Sequence, residues 1–298
     1  MGKGRGGKGR GSGLAALLAV LLFLAGAGVI LYPVVSSQLA GMNQAGVIQN
    51  YEDKLSAENE EFYEAEWQKA HEYNESLTGD TVRDPFIPGS GYVLPENYLE
   101  CLNIDGVMGY IEIPKIDVRL PIYHGTGEET LQKGVGHLES TSLPAGGEFT
   151  HSVLTGHRGL PAAELFTNLD QLEVGDRFYL HILDEVLAYE VDRIITVLPE
   201  DIAGELAAVR GRDLVTLVTC TPYGVNTHRL LVRGTRVPYD GAVDNDENGR
   251  NVGTVSIAGF EVRLLYVGAA IGAALVLIIV IAVVRVRRRR ENRRRYEK

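Results

Sequence analysis

The sequence predicts a mainly β domain, a closed or nearly closed barrel, held between two membrane-spanning helices. Three observations lead there. Seven or eight short runs rich in β-branched and apolar residues follow one another between Gly106 and Val237, separated by Gly, Pro and Asp turns with few helical stretches among them. Two long apolar runs, Leu14–Leu31 and Leu264–Val284, flank that region. The charge is distributed to match: residues 1–10 carry four basic groups and no acidic one, residues 285–298 carry nine basic and two acidic, and the stretch between them holds −21 of a net −10. The strand pattern alone fits a β-sandwich as well as a barrel. An acidic middle of this size excludes nucleic acid as a partner, since phosphate recognition needs basic surface. The basic ends fit the cytoplasmic face of a membrane, which places both termini inside and the acidic middle outside.

Taken in order, residues 1–13 form a basic cytoplasmic segment and 14–35 a transmembrane helix or signal anchor. A cleaved signal peptide also fits, and would remove the N-terminal segment. The anchor is favoured because the run exceeds an ordinary signal core, and because Ala25-Gly26-Ala27 lies inside the run rather than ending it. Residues 36–77 are expected to form one or two amphipathic helices, with Tyr51, Leu55, Phe62, Trp67 and Ala70 on the packed face. Residues 78–95 carry three prolines and three glycines and read as a long irregular loop. Strands are expected at Val107–Ile113, Val118–Tyr123, Ser152–Thr155, Arg177–Leu183, Val186–Val197, Leu214–Thr219 and Leu230–Val237, with a helical turn at Glu128–Lys133 and a short helix at Glu164–Leu169. They fill a domain spanning 96–240. A polar linker, 241–262, leads to a second membrane helix at 263–284, which the basic tail 285–298 stops.

The chemistry concentrates in Asp213–Arg236. The Leu214–Thr219 run delivers Cys220 at its end, Pro222 and Gly224 break the ladder, and Arg229 opens the next run. Two strands joined by that loop bring a thiol beside a guanidinium. The cation favours the thiolate, and its fork of N–H donors can hold an oxyanion. A cysteine nucleophile also needs a group that exchanges protons, usually His. The chain has seven histidines: His71, His124, His137, His151, His157, His181 and His228. Chemistry alone does not choose among them. His157, at a strand exit, stands first, with His228 and His137 as competitors. Asp213 would serve a Cys–His–Asp arrangement. Only one other cysteine, Cys101, is present, too few for a disulfide framework, and it is expected to be a packed, inert thiol. No cluster of ligand-type residues indicates a metal, and no cofactor is expected.

Several of these segments together resemble the sortases, cysteine transpeptidases of Gram-positive cell surfaces. TLVTC with Arg nine positions on, and LTGHRGLP with its His 63 residues before the Cys, are similar to the family's signature. TCTPYGVNTHRLLVRG, LQKGVGHLESTSLPAGG, HRGLPAAELFTNLDQLEVGD and Asp84-Pro85-Phe86 resemble the pilin-polymerising class C branch, over about residues 78–238. The resemblance implies a sortase-type eight-stranded β-barrel with short helices, preceded by N-terminal helices and a lid loop. It implies Cys220 as nucleophile, Arg229 as oxyanion stabiliser and His157 as acid and base, with His137 structural. Asp84, Pro85 and Phe86 would form a lid, Asp84 contacting Arg229 or its surroundings and Phe86 stacking over Cys220. The implied partners are the membrane and pilin proteins bearing a Leu-Pro-x-Thr-Gly (LPXTG)-like sorting signal, cleaved between Thr and Gly and joined to an acceptor Lys by an isopeptide bond. The alternatives are a housekeeping sortase attaching proteins to peptidoglycan, a non-catalytic membrane-tethered assembly protein, and a hydrolytic cysteine protease. The lid residues and the C-terminal membrane run weigh against the housekeeping reading.

Overall fold

A computed structural model describes residues 11–77, 84–86, 94–239 and 241. The predicted linker, second membrane helix and basic tail, and most of the loop 78–95, lie outside the described residues. Eight strands close into a barrel: β1 (Val107–Ile113), β2 (Val118–His124), β3 (Val135–His137), β4 (Thr150–Thr155), β5 (Arg177–Ile182), β6 (Glu185–Val197), β7 (Asp213–Thr221) and β8 (His228–Val237). Around the barrel they run β1-β2-β3-β4-β7-β8-β6-β5, and β5 pairs back onto β1. Closure removes the exposed sheet edges that an open array of short strands would present. The β2–β3 and β4–β7 pairs are parallel and the others antiparallel. The sandwich alternative is thereby set aside.

Register fixes what each strand shows to each face, because successive side chains alternate. Ile111, Ile113, Phe178, Leu180, Val215, Leu217 and Val232 share the main core. Val218 and Leu231, one position on from Leu217 and one back from Val232, point the other way and pack with Leu138, Val153, Ile202 and Leu206 in a second cluster. Cys220 lies two positions after Val218 and Arg229 two before Leu231, so they share the face of that second cluster.

Helix α1 (Gly11–Leu55) is continuous, so the first membrane run and the segment after it are one helix with Pro33 inside it. It is long and apolar enough to cross a membrane by length and composition. Its C-terminal turns bury Ile48, Tyr51 and Leu55 on the barrel, where the Tyr51 hydroxyl donates to Met108 O and accepts from Leu183 N–H. Helix α2 (Glu60–Ser76) starts at Asn59, whose side chain accepts from Phe62 N–H, and buries Ala70. Phe62 and Trp67 pack partly against the core, as the helical spacing predicts.

Two local expectations differ from the structure. Glu164–Leu169 is a series of turns rather than a helix. Leu165 takes a left-handed φ of 41°, and Phe166 N–H bonds back to His157 O, which wraps the segment round the His157 loop. Strand β3 has no counterpart in the predicted set because it is three residues long with a glycine at its centre. A Cβ at Gly136 would fall 2.4 Å from Gly125 O, so close backbone approach, not side-chain pattern, defines it.

Candidate active site

The site grows from the β7–β8 pair. β7 ends at Thr221, a cis Thr221–Pro222 bond follows, and the N–H groups of Val225 and Asn226 both turn back to Pro222 O. Asn226 takes the left-handed conformation that closes the loop. Antiparallel register then sets Cys220 directly opposite Arg229. Both side chains are buried.

Arg229 is held on all sides. Its Nε donates to Asp84 Oδ1 at 2.9 Å and its Nη2 to Asp84 Oδ2 at 2.6 Å, a bidentate fork. Its Nη1 donates to the carbonyls of Asn226 and His228, both at 3.1 Å. Asp84 belongs to no strand or helix and is bracketed by its own turn, accepting from Phe86 N–H at 3.2 Å across Pro85. The Phe86 ring sits with its centroid 5.1 Å from the Arg229 guanidinium carbon and 5.6 Å from the His157 ring. It packs on the second cluster. The Phe86 ring thus lies against the two groups that accompany Cys220.

His157 follows β4. Gly156 N–H bonds Val218 O, and Thr219 Oγ1 donates to Gly156 O at 2.7 Å, so the His157 loop is fastened to the strand carrying Cys220. A Cβ at Gly156 would lie 2.8 Å from the Phe166 ring, which accounts for glycine before this His. Arg158 adds a second tie, donating to Thr221 Oγ1 while paired with Asp170. Nε2 of His157 is buried without a hydrogen-bond partner among the described residues, and Glu128 Oε2 stands 3.7 Å away, beyond hydrogen-bond reach.

The electrostatics follow from these positions. Burial pushes the Cys220 thiol up, Arg229 pulls it down, and Asp84 pushes it up again. Burial pulls His157 down, and Glu128 offsets part of that. With Asp84 bound to Arg229, both members of the couple therefore favour their neutral forms.

The competing histidines are otherwise engaged. His137 is fully buried, its Nδ1 2.9 Å from the Tyr98 hydroxyl and its Nε2 2.8 Å from Ser142 O, and burial takes its pKa down to about 3. His228 contacts Thr227 Oγ1. His124, His151 and His181 pair with Cys101 O, Thr216 Oγ1 and Glu112. His71 stacks on Trp67. Asp213 starts β7, at the end of the barrel opposite Cys220, and accepts from Tyr189 and Gly147 N–H. Cys101 is a free, buried thiol donating to Asn97 O, and Cys220 is free as well. Sequence reasoning did not single out Glu128, Arg158 or Thr219. The Arg158 adjacent to His157 was the one available signal.

The Sortase domain family model matches residues 111–237. Among solved structures, the sortase C of Streptococcus pneumoniae is 47% identical, with 65% of this chain covering 97% of that one at a TM-score of 0.61. The chain belongs to the sortase family. Sortase C-1 of Actinomyces oris is 52% identical to the sortase, over 60% of its chain and 99% of the other, at a TM-score of 0.58. The pilus-related sortase C of Group B Streptococcus is 43% identical, covering 65% and 98%, at 0.61. Curated relatives are more distant. Sortase D of Bacillus subtilis is 32% identical over 132 residues and Sortase A of Bacillus anthracis 28% over 131, and the match spans only 63% and 60% of their lengths. Sortases are cysteine transpeptidases, and the solved neighbours of this sortase are class C members.

Proposed function

We propose that this sortase is a membrane-anchored class C transpeptidase that cleaves an LPXTG-like signal between Thr and Gly and joins pilin subunits through isopeptide bonds. The observation that carries the reading is Cys220 opposite Arg229, with His157 alongside and Asp84 and Phe86 laid across Arg229 and His157. The pilus-related description of the Group B Streptococcus neighbour and the pilin specificity studied in the Streptococcus pneumoniae one support the choice of substrate.

In this mechanism a substrate displaces Asp84 and Phe86, which frees Arg229 and uncovers the couple. Removing the Asp84 charge lowers the thiol's pKa, so Cys220 reaches its thiolate more readily. The Cys220 thiol gives its proton to His157, the resulting thiolate attacks the Thr carbonyl, and Arg229 donates to the oxygen as negative charge develops on it. His157 protonates the departing Gly amine as the C–N bond breaks, leaving a thioester on Cys220. A Lys amine of a second pilin gives its proton to His157, attacks the thioester and releases the thiolate. Helix α1 anchors the enzyme, with both termini cytoplasmic and the barrel outside.

Intact-mass spectrometry of the full chain in detergent micelles with an LPXTG peptide tests this. A thioester adduct is expected on wild type, more on Asp84→Ala/Phe86→Ala, and none on Cys220→Ala. Absence of adduct on both the wild type and the lid variant, with the barrel folded, would sink the proposal. Transfer to a Lys-bearing pilin peptide, rather than hydrolysis or transfer to a peptidoglycan-type amine, is the expected second step.

A further inference from the structure

The long helix and the barrel belong to one compact unit, and their contacts orient the barrel relative to the membrane. The two ends of the barrel are distinct. Cys220 is the last residue but one of β7, Arg229 enters β8 and His157 follows β4, all at one end, while Asp213, Val107 and the β5–β6 turn at Leu183–Asp184 lie at the other. Helix α1 runs between these ends. Near its C-terminus Tyr51 reaches Met108 O and Leu183 N–H at the far end. Gln44 meets Lys133 O midway, and Ser36 Oγ donates to Pro161 O at 3.1 Å beside the His157 loop. Ser36 to Leu55 is about 28 Å of helix at 1.5 Å per residue. Ser36 lies only five residues, about 8 Å, past Leu31, where the apolar run ends. The membrane end of the helix and the active-site end of the barrel therefore coincide.

At that same end the β7–β8 loop presents Tyr223 and Val225, 61% and 63% exposed. The loop is seated on the His157 segment: Gly159, at φ 76°, would place a Cβ 2.9 Å from the Tyr223 ring. An aromatic ring and a valine on an exposed loop tip suit the lipid–water interface, where Tyr is at home. The charges placed beside the loop are Glu128 and the paired Arg158 and Asp170, not a basic patch, so attraction to anionic headgroups does not drive the contact.

We infer that the mouth of the active site faces the bilayer, with Tyr223 and Val225 resting in the outer lipid interface. The inference rests on the proposed membrane anchoring and goes beyond it by assigning the lipid surface as a second contact of the catalytic domain. Pro33, lacking the N–H that would bond one turn back, sits between the apolar run and Ser36, where a change of angle costs least. The arrangement brings Cys220 to a peptide bond emerging from the membrane, with no need for the substrate to climb the barrel.

The full chain in phosphatidylcholine/phosphatidylglycerol vesicles carrying a headgroup-level diazirine lipid tests this. Residue-level mapping should place label on Tyr223 and Val225 at least several-fold above Phe149 and Val209, apolar residues exposed at the far end. The contact being apolar, raising the salt should leave the ratio unchanged. The chain's one tryptophan, Trp67, bonded to Asp184 at the far end, supplies a second reading without substitution: brominated lipids should leave its fluorescence unquenched. Label confined to α1, equal label at both ends, or strong quenching of Trp67, in a chain that resists alkaline carbonate extraction, would overturn the inference and leave the anchor intact. Extraction of the chain by carbonate would defeat the anchoring and the inference together.

Discussion

Two carboxylate–guanidinium forks in this molecule have nearly the same geometry and different surroundings. Asp192 accepts from Arg233 Nε and Nη2 at 2.9 and 3.0 Å, and Asp84 accepts from Arg229 Nε and Nη2 at 2.9 and 2.6 Å. Asp192 is set into the barrel wall. It lies at the irregularity between Val191 and Arg193 where β6 slips against β8, and Arg212 and Thr235 also donate to it. Burial pushes its carboxyl up, but those three donors outweigh burial and hold it at about 2. Asp84 comes from outside the sheet, and the guanidinium it occupies is the one opposite Cys220. A fork fastened by strand register on both sides is architecture. A fork fastened on one side only can be exchanged for a substrate.

Deleting each cation sharpens that contrast most. Arg229→Gln should slow thioester formation by about 10²–10³-fold, the usual cost of losing an oxyanion donor. Arg233→Gln should leave the rate within about twofold and instead cost about 1–2 kcal/mol of stability in thermal or urea unfolding. Equal rate losses in the two variants, with both folded, would break the distinction.

Deleting each carboxylate gives a smaller effect, visible in titration. Asp84 pushes the Cys220 thiol up, so Asp84→Asn should move the pH profile of thiol alkylation by iodoacetamide toward lower pH and raise the rate at neutral pH. Asp192→Asn removes a charge at the barrel wall and should leave the profile where it is. An unmoved profile in Asp84→Asn would mean that the fork does not govern the thiol.

Much of this was readable from residues because alternation and spacing encode it. The β7–β8 hairpin follows from two apolar runs and the Pro222/Gly224 break between them, and its register makes Cys220 and Arg229 neighbours. The helix face of Tyr51, Leu55 and Ala70 followed from periodicity. What periodicity could not carry was order without side-chain pattern. Strand β3 rests on glycine backbone contacts, and the turns at Glu164–Leu169 rest on one left-handed leucine and a bond to His157 O. Glu128 faces His157 from 29 residues away, a pairing made by the barrel and by no local spacing. Bottom-up chemistry left the histidine open among three candidates, because only tertiary contacts show which imidazoles are already occupied.

That occupancy gives the smallest predicted effect, and the one most specific to the comparison of fixed with free groups. His137 is the wall's histidine, with both nitrogens engaged, whereas the Nε2 of His157 is left unpartnered at the site. Burial holds His137 near pKa 3 in the folded chain, against about 6.5 when unfolded. Between those values the unfolded state binds the extra proton, so stability must fall as pH falls through this window, by up to ~1.4 kcal/mol per pH unit for one group. Burial depresses His124, His151 and His157 in the same direction, and they add to the slope. His137→Asn should lower stability at neutral pH through the lost contacts to Tyr98 and Ser142. It should also flatten the decline of urea-unfolding stability between pH 6.5 and 5 by about one proton's worth, with the other three histidines supplying what remains. A slope identical to wild type would mean that His137 takes up its proton without unfolding the wall, and that its two contacts are no more fixed than those of the lid.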